Sequence, residues 1–206
     1  MDANESEESR QLVDDLRAGK REALNSLFAR HEPYLRRVVG FRLDRRVRRH
    51  VAVSDVVQQT QVDAFERIDE YLEGEPMPFR WWLRRAAHDR LRRVHREHRA
   101  GKRAVAREIS LADRTSLQIA ALAGGGTSPS GRAVRRELAA RVRRALGQLS
   151  ETDREVLMMR NFEEMPYDAI GYVLGIDPTA ARMRHGRALV RMGKVLRKDD
   201  LAEGPL

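Results

Sequence analysis

Between Thr179 and Lys198 the chain carries seven Lys or Arg residues and no Asp or Glu. At helical spacing, Thr179, Arg182, Met183, Gly186 and Arg187 share an outward face, and Arg184 and Arg191 flank it. Ala181, His185, Ala188, Leu189, Met192 and Val195 fall on the inner stripe. A guanidinium offers a planar fork of donors, which matches phosphate oxygens and guanine edges, so this segment suits a DNA major groove. A second basic run, Arg80 to Arg107, holds eleven Lys or Arg against Asp89 and Glu97. Phe79, Trp81 and Trp82 stand at its head. Aromatic faces beside cations hold single-stranded nucleic acid by stacking bases and pairing phosphates. Adjacent tryptophans on a helix do not face one side, so at least one is expected in a core.

Other chemistries find few residues to rest on. His95 and His98 could share a helix face, but Arg96 and Arg99 repel a cation there and no third ligand is near, so no metal is expected. Gly124-Gly125-Gly126 is not followed by Lys-Ser/Thr and is no phosphate loop. Ser, His and Asp occur without a nucleophile elbow. There is no cysteine, which excludes thiol catalysis, disulfides and Cys-ligated zinc. Glu163 and Glu164 read as an exposed loop pair. The expectation is a protein that is not an enzyme and needs no cofactor.

The elements that would position these residues are helical. Leu24, Leu27, Phe28, Leu35, Val38 and Val39 recur at three- and four-residue steps, a helix pair broken at Pro33. The next helix starts near Ser54, a candidate N-cap, with Val57, Ala64, Phe65 and Ile68 as its buried stripe. Gly74, Pro76 and Pro78 make a loop, and a basic helix follows from about Phe79 to Arg99. Gly124 to Gly131 has no packing capacity and reads as an interdomain linker. Beyond it, Val134, Leu138, Val142, Ala145, Leu146 and Leu149 form a new stripe. Ser150 to Asp153 is a near capping box, and Val156, Leu157 and Phe162 mark the helix it opens. A helix from near Tyr167 to Gly175, the turn Gly175-Ile176-Asp177, and a helix from Pro178 to about Arg197 make a helix–turn–helix. Gly171, mid-helix, would let the second helix approach closely.

The 206 residues carry 40 Lys and Arg (36 of them Arg) against 31 Asp and Glu, a net charge of +9, which favours a polyanionic partner. Hydrophobic residues are 41% and aromatics 5%, enough for a modest core and better suited to two small helical modules than to one thick-cored enzyme. No stretch is long and apolar enough for a membrane span, and the acidic start is the reverse of a signal peptide. That start, six acids and one base through Leu16, reads as a solvated tail. A soluble, cytoplasmic, all-α protein is expected. Its N-terminal domain covers 10–100, a flexible linker 101–131, and a helix–turn–helix domain 132–198.

Three segments in this order resemble the sigma-70 family of bacterial RNA polymerase sigma factors, in its extracytoplasmic-function group. Asp55-Val56-Val57-Gln58-Gln59-Thr60 with Ala64-Phe65 is similar to the family's Asp-Leu-Val-Gln-Glu-Thr…Ala-Phe/Trp. Phe79-Arg80-Trp81-Trp82-Leu83-Arg84-Arg85-Ala86-Ala87 is similar to its Phe-Arg-x-Trp-Leu-x-x-Ile-Ala. Leu149 to Leu157, with Tyr167-Asp168-Ala169-Ile170 and Val173 to Ile176, resembles its final helix–turn–helix. The linker also resembles that of members abundant in planctomycetes. The resemblance implies that Asp55, Val56, Gln58, Gln59 and Phe65 bind core polymerase at the clamp coiled coil of the largest subunit, with the flap as a further contact. It implies that Phe79, Arg80, His88, Asp89, Arg92, Arg93 and Arg96 serve the melted −10 strand. It implies that Thr179, Arg182, Met183, Arg184, Gly186, Arg187 and Arg191 read −35 duplex. Promoter DNA and core polymerase are then the partners, with an anti-sigma factor as a further one and no membrane insertion. Gln59 departs from the usual Glu, Asp89 from Asn, and His185 from a buried Leu or Ile. Asp89 could pair with Arg85 or Arg93. The rivals are a stand-alone helix–turn–helix regulator, which leaves the first two segments unexplained, and an RNA-binding structural protein supported only by charge.

Overall fold

A computed structural model describes residues 3–43, 47–74, 77–100 and 129–203, and no strand occurs among them. The all-α expectation holds. The chain divides into two units, Met1–Val105 and Ala106–Leu206. Most of the stretch read as a linker lies outside the described residues, and a helix already begins at Pro129.

In the first unit, α1 (Ala3–Arg17) and α2 (Glu22–Arg42) pack together. The acidic start is therefore not a solvated tail. Val13 and Leu16 give α1 a buried edge, Glu8 pairs with Arg30 of α2, and Ser9 Oγ lies 3.3 Å from His31 Nε2. Pro33 sits inside α2 rather than breaking it. The helix survives because Pro33 and Ala29 are both exposed, so the carbonyl that loses its partner faces water. Leu24, Leu27, Tyr34, Leu35, Val38 and Val39 meanwhile bury the opposite side.

α3 (Val53–Glu66) is capped by Ala52, with no side-chain cap; Ser54 lies within the first turn and bonds to Asp55 instead. Val56, Val57, Thr60 and Ala64 face the core, and the Thr60 hydroxyl is satisfied by the Val56 carbonyl at 2.7 Å. Phe65, expected in the buried stripe, is 54% exposed. The helix ends at Glu66, and α4 (Ile68–Glu73) turns away, so Ile68 reaches the core from a new element. α5 (Phe79–Ala100) then packs on α3 and α2. Residues 75–76 of the preceding loop lie outside the described residues.

In the second unit, α6 (Pro129–Gln148) buries Ala145 and Leu146 near its end, with Leu149 just beyond. Ser150 caps α7 (Glu151–Asn161) as expected, its Oγ accepting from the Asp153 amide at 3.2 Å. Arg154 of α7 donates back to the carbonyls of Leu146 and Leu149, satisfying groups the end of α6 leaves open. Glu163 is buried, contrary to its reading as an exposed loop residue, while Glu164 is exposed with a left-handed backbone, φ 53°. The turn folds tightly because Met165 donates its amide to Met159 and its carbonyl accepts from Arg160 at 2.9 Å.

α8 (Tyr167–Leu174) ends at Gly175 in the left-handed region, φ 66°, and α9 (Pro178–Glu203) follows with Asp177 accepting from the Thr179 amide at 2.7 Å. A Cβ on Gly171 would lie 2.6 Å from the Ile176 carbonyl oxygen. The empty side of Gly171 thus admits the turn itself, and through it the second helix. α9 packs on α7, α8 and α6, which fixes its inner face.

Candidate nucleic-acid interface

On α9, Thr179, Arg182, Met183, Gly186 and Arg187 are all exposed, and Met183 stands 60% open. They form one outward face, the arrangement expected for a helix that enters a major groove. Arg184 is half-buried at its edge. Arg191 bonds to the buried Asp153 carboxylate in the first turn of α7, so one of its nitrogens fastens α9 rather than facing DNA. The inner stripe holds at Ala181, His185 and Ala188, but Leu189 is 46% exposed and joins Val190 on the outside.

His185 is the polar member of that inner stripe. Asn161 Nδ2 donates to its Nε2 at 3.2 Å, which leaves Nδ1–H to donate to the Tyr167 hydroxyl at 3.0 Å. Burial, and then the Arg160 charge, hold the imidazole below its ordinary pKa, consistent with this neutral tautomer. The Tyr167 ring in turn carries Arg160 at 4.9 Å and Arg182 at 5.8 Å from its centroid.

At the head of α5, both tryptophans are buried, as are Phe79 and Tyr71. Trp82 packs against Tyr71 and Phe79, while Trp81 meets Tyr34 edge-on. One side of a helix cannot hold both; α5 buries two sides because α2 and α4 flank its start. Phe79, at 3% exposure, is therefore a core residue and not itself a surface for a base. Arg80 is half-buried, its guanidinium 4.2 Å from the Tyr34 ring centre and 4.7 Å from that of Trp81. His31 lies against Phe79, and burial, then Arg80 and Arg30, push its pKa down to about 4.

Further along α5, Arg92 and Arg96 are exposed, with His88 and Asp89 half-buried on the same face. Arg85, one turn earlier, shares that exposed face, though from sequence it was named only as a partner for Asp89. Its signal was the three- and four-residue spacing to His88, Asp89 and Arg92. Arg93 does not pair with Asp89. It donates to Asp63 of α3 at 3.0 Å, and Arg90 grips the same carboxylate through two bonds of 3.0 and 2.7 Å. Asp63 wins because it is half-buried between the helices and already oriented, whereas Asp89 is on the open face. Arg84, on the core side, is fully buried. His95 Nε2 donates to the Arg42 carbonyl at 3.1 Å, the His98 ring lies tilted against that of His50, and no metal-binding cluster occurs among the described residues.

A separate face lies along α3. Asp55, Gln58, Gln59 and Phe65 are exposed within one arc, and Val62, 42% exposed, completes it. Val62 was missed because a single valine at i+7 from Asp55 reads as core. Val56, in contrast, is 2% exposed and belongs to the interior, so it shapes the face without touching a partner. The arc carries one carboxylate, two amides and two apolar side chains, a composition suited to another protein rather than to phosphate.

Comparison with known proteins shows the family. The model for sigma-70 region 4 matches residues 139–192, which include the helix–turn–helix. The RNA polymerase sigma factor CnrH of Cupriavidus metallidurans is 29% identical over 198 residues, 95% of this chain and 98% of that protein. The RNA polymerase sigma factor CarQ of Myxococcus xanthus is 30% identical over 184 residues, 89% of this chain and 95% of that one. The solved structure of CnrH in complex with the cytosolic domain of CnrY shares the fold, with a TM-score of 0.59 and 24% identity over 94% of this chain and 99% of that one. This chain belongs to the sigma-70 family of RNA polymerase sigma factors, in its extracytoplasmic-function group. Among the described residues, no helix is long and apolar enough to cross a membrane.

Proposed function

We propose that this sigma factor divides its work between the two units. The face of Thr179, Arg182, Met183, Gly186 and Arg187 reads −35 duplex, and the exposed cations of α5 hold the melted −10 strand. Arg92 and Arg96, with Arg85, pair phosphates; His88 and Asp89 lie where a base edge would approach. Phe79, Trp81 and Trp82 pack the core at the head of α5, and Arg80 is set between Tyr34 and Trp81. Asp55, Gln58, Gln59, Val62 and Phe65 form the polymerase contact, at the clamp coiled coil of the largest subunit. The chain lends sequence recognition to an enzyme that lacks it and catalyses nothing itself. Strand separation draws on binding energy, a few kcal/mol of unstacking per captured base being offset by new contacts.

The observation that carries this reading is the open arc on α3. A helix–turn–helix regulator acting alone accounts for α8 and α9, yet leaves Phe65 and Val62 exposed beside Asp55 with nothing to bind. A protein working on polymerase acts in the cytoplasm. Because CnrH was solved with the cytosolic domain of CnrY, an anti-sigma partner is part of the proposal for this chain as well.

Reconstitution tests it. Purified chain is mixed with sigma-free bacterial core polymerase, any complex is isolated, and its transcripts on genomic DNA are sequenced. Discrete starts sharing −35 and −10 motifs are expected. Duplex binding without a polymerase complex would instead establish the stand-alone regulator.

A further inference from the structure

Arg182 is exposed on the outward face of α9 and, among the described residues, makes no hydrogen bond within the protein. Its guanidinium carbon lies 5.8 Å from the centroid of the Tyr167 ring, at the outer limit of a cation–π contact. An exposed arginine samples many rotamers, and each costs entropy to freeze when a base is bound. A fixed aromatic face beneath it narrows that arc before binding.

The ring is held at two points. Its hydroxyl accepts from His185 Nδ1 at 3.0 Å, and His185 is held in that tautomer by Asn161 at 3.2 Å. Asn161 also donates to the Leu157 carbonyl at 3.1 Å, so the pin is anchored in α7. Arg160 lies over the same ring at 4.9 Å and is itself tied to the Met165 carbonyl at 2.9 Å. Arg160 carries the same charge as Arg182 and sits closer to the ring, so it opposes a further approach of Arg182 from its side. Residues of α7, α8 and α9 thus meet at a single phenol ring.

We propose that Tyr167 is a positioning residue for −35 recognition: held by His185 and Asn161, its ring sets the direction in which Arg182 meets a base. The proposal rests on α9 being the −35 reader and goes beyond that assignment, since Tyr167 acts through another side chain. A residue that merely stabilised the unit would change how much protein is folded, not which base is preferred.

The test uses the full chain reconstituted with core polymerase and selected on promoters randomised across the −35 element. Arg182→Ala is expected to flatten the preference at one position by about ten-fold, the discrimination of one good arginine–base pair. Tyr167→Phe keeps the ring volume but loses the pin, and is expected to weaken the preference at that same position by about three-fold. Tyr167→Leu removes the ring and should approach the Arg182→Ala profile. Thermal melts establish that each variant is folded; if Tyr167→Leu is not, Tyr167→Phe decides. A flattened Arg182→Ala profile beside an unchanged Tyr167→Phe profile overturns the positioning role and leaves the −35 assignment intact. An unchanged Arg182→Ala profile overturns both.

Discussion

Arg182 and Arg187 lie one turn and a little more apart on the open face of α9, and neither holds the fold together by a bond described above. Replacing both with Ala should therefore leave melting within about 0.5 kcal/mol, as for other exposed substitutions. Initiation that depends on the −35 element should fall by at least ten-fold while the complex with core polymerase survives, measured by transcription and by co-purification. Arg191 would behave differently, because its loss also strands the buried Asp153 carboxylate. His31 gives a pH signature. Its folded pKa is about 4, against about 6.5 in an unfolded chain, so between those values the unfolded state binds a proton that the folded state refuses. Stability is then full above about pH 6.5 and declines as the pH falls toward 4, by about 3 kcal/mol in all. Thermal midpoints at pH 7, 5.5 and 4.5 should show that slope, and His31→Phe should flatten it.

The helices show which local signals survive packing. Gly175 as a stop, Ser150 as a cap and Asp177-Pro178 as a start were legible because each acts within a few residues of backbone. Pro33 and Ser54 misled for the same reason in reverse. Their local preferences are worth one to about three kcal/mol, and the buried faces of α2 and α3 outweigh them. Gly171 is the position where an element depends on an absent side chain. A Cβ there would sit 2.6 Å from the Ile176 carbonyl, so Gly171→Ala must displace the turn. It should cost about 2 kcal/mol despite the better helix propensity of Ala, and it should weaken −35 selection together with the melting temperature.

At the scale of the whole molecule, the proposed polymerase contact and the proposed −35 contact belong to different units, so they should fail separately. Asp55→Ala with Gln58→Ala should weaken binding to core polymerase by about ten-fold, while the full chain binds −35 duplex as before. Phe65→Ala should do the same without lowering the melting temperature, because a side chain 54% exposed contributes little to the core. Titration of labelled core polymerase and a duplex mobility assay read the two halves. Loss of both activities in either variant would mean that the units are not independent.

Helical periodicity and the caps were sufficient to expect an all-α chain and most of its faces on α3, α5 and α9, and the resemblance of three segments pointed to the sigma-70 family. Apolar and basic positions recur along each helix at three- and four-residue steps, and the backbone alone converts those steps into faces. What the intervals could not determine was the partner across each face. That Phe79 and Val56 are interior, that Arg93 serves Asp63, that Arg191 serves Asp153, and that Tyr167 lies between His185 and Arg182 all depend on residues far apart in the chain. A cation is the same residue in sequence whether it meets DNA or a carboxylate; only the tertiary structure brings up the carboxylate that claims it.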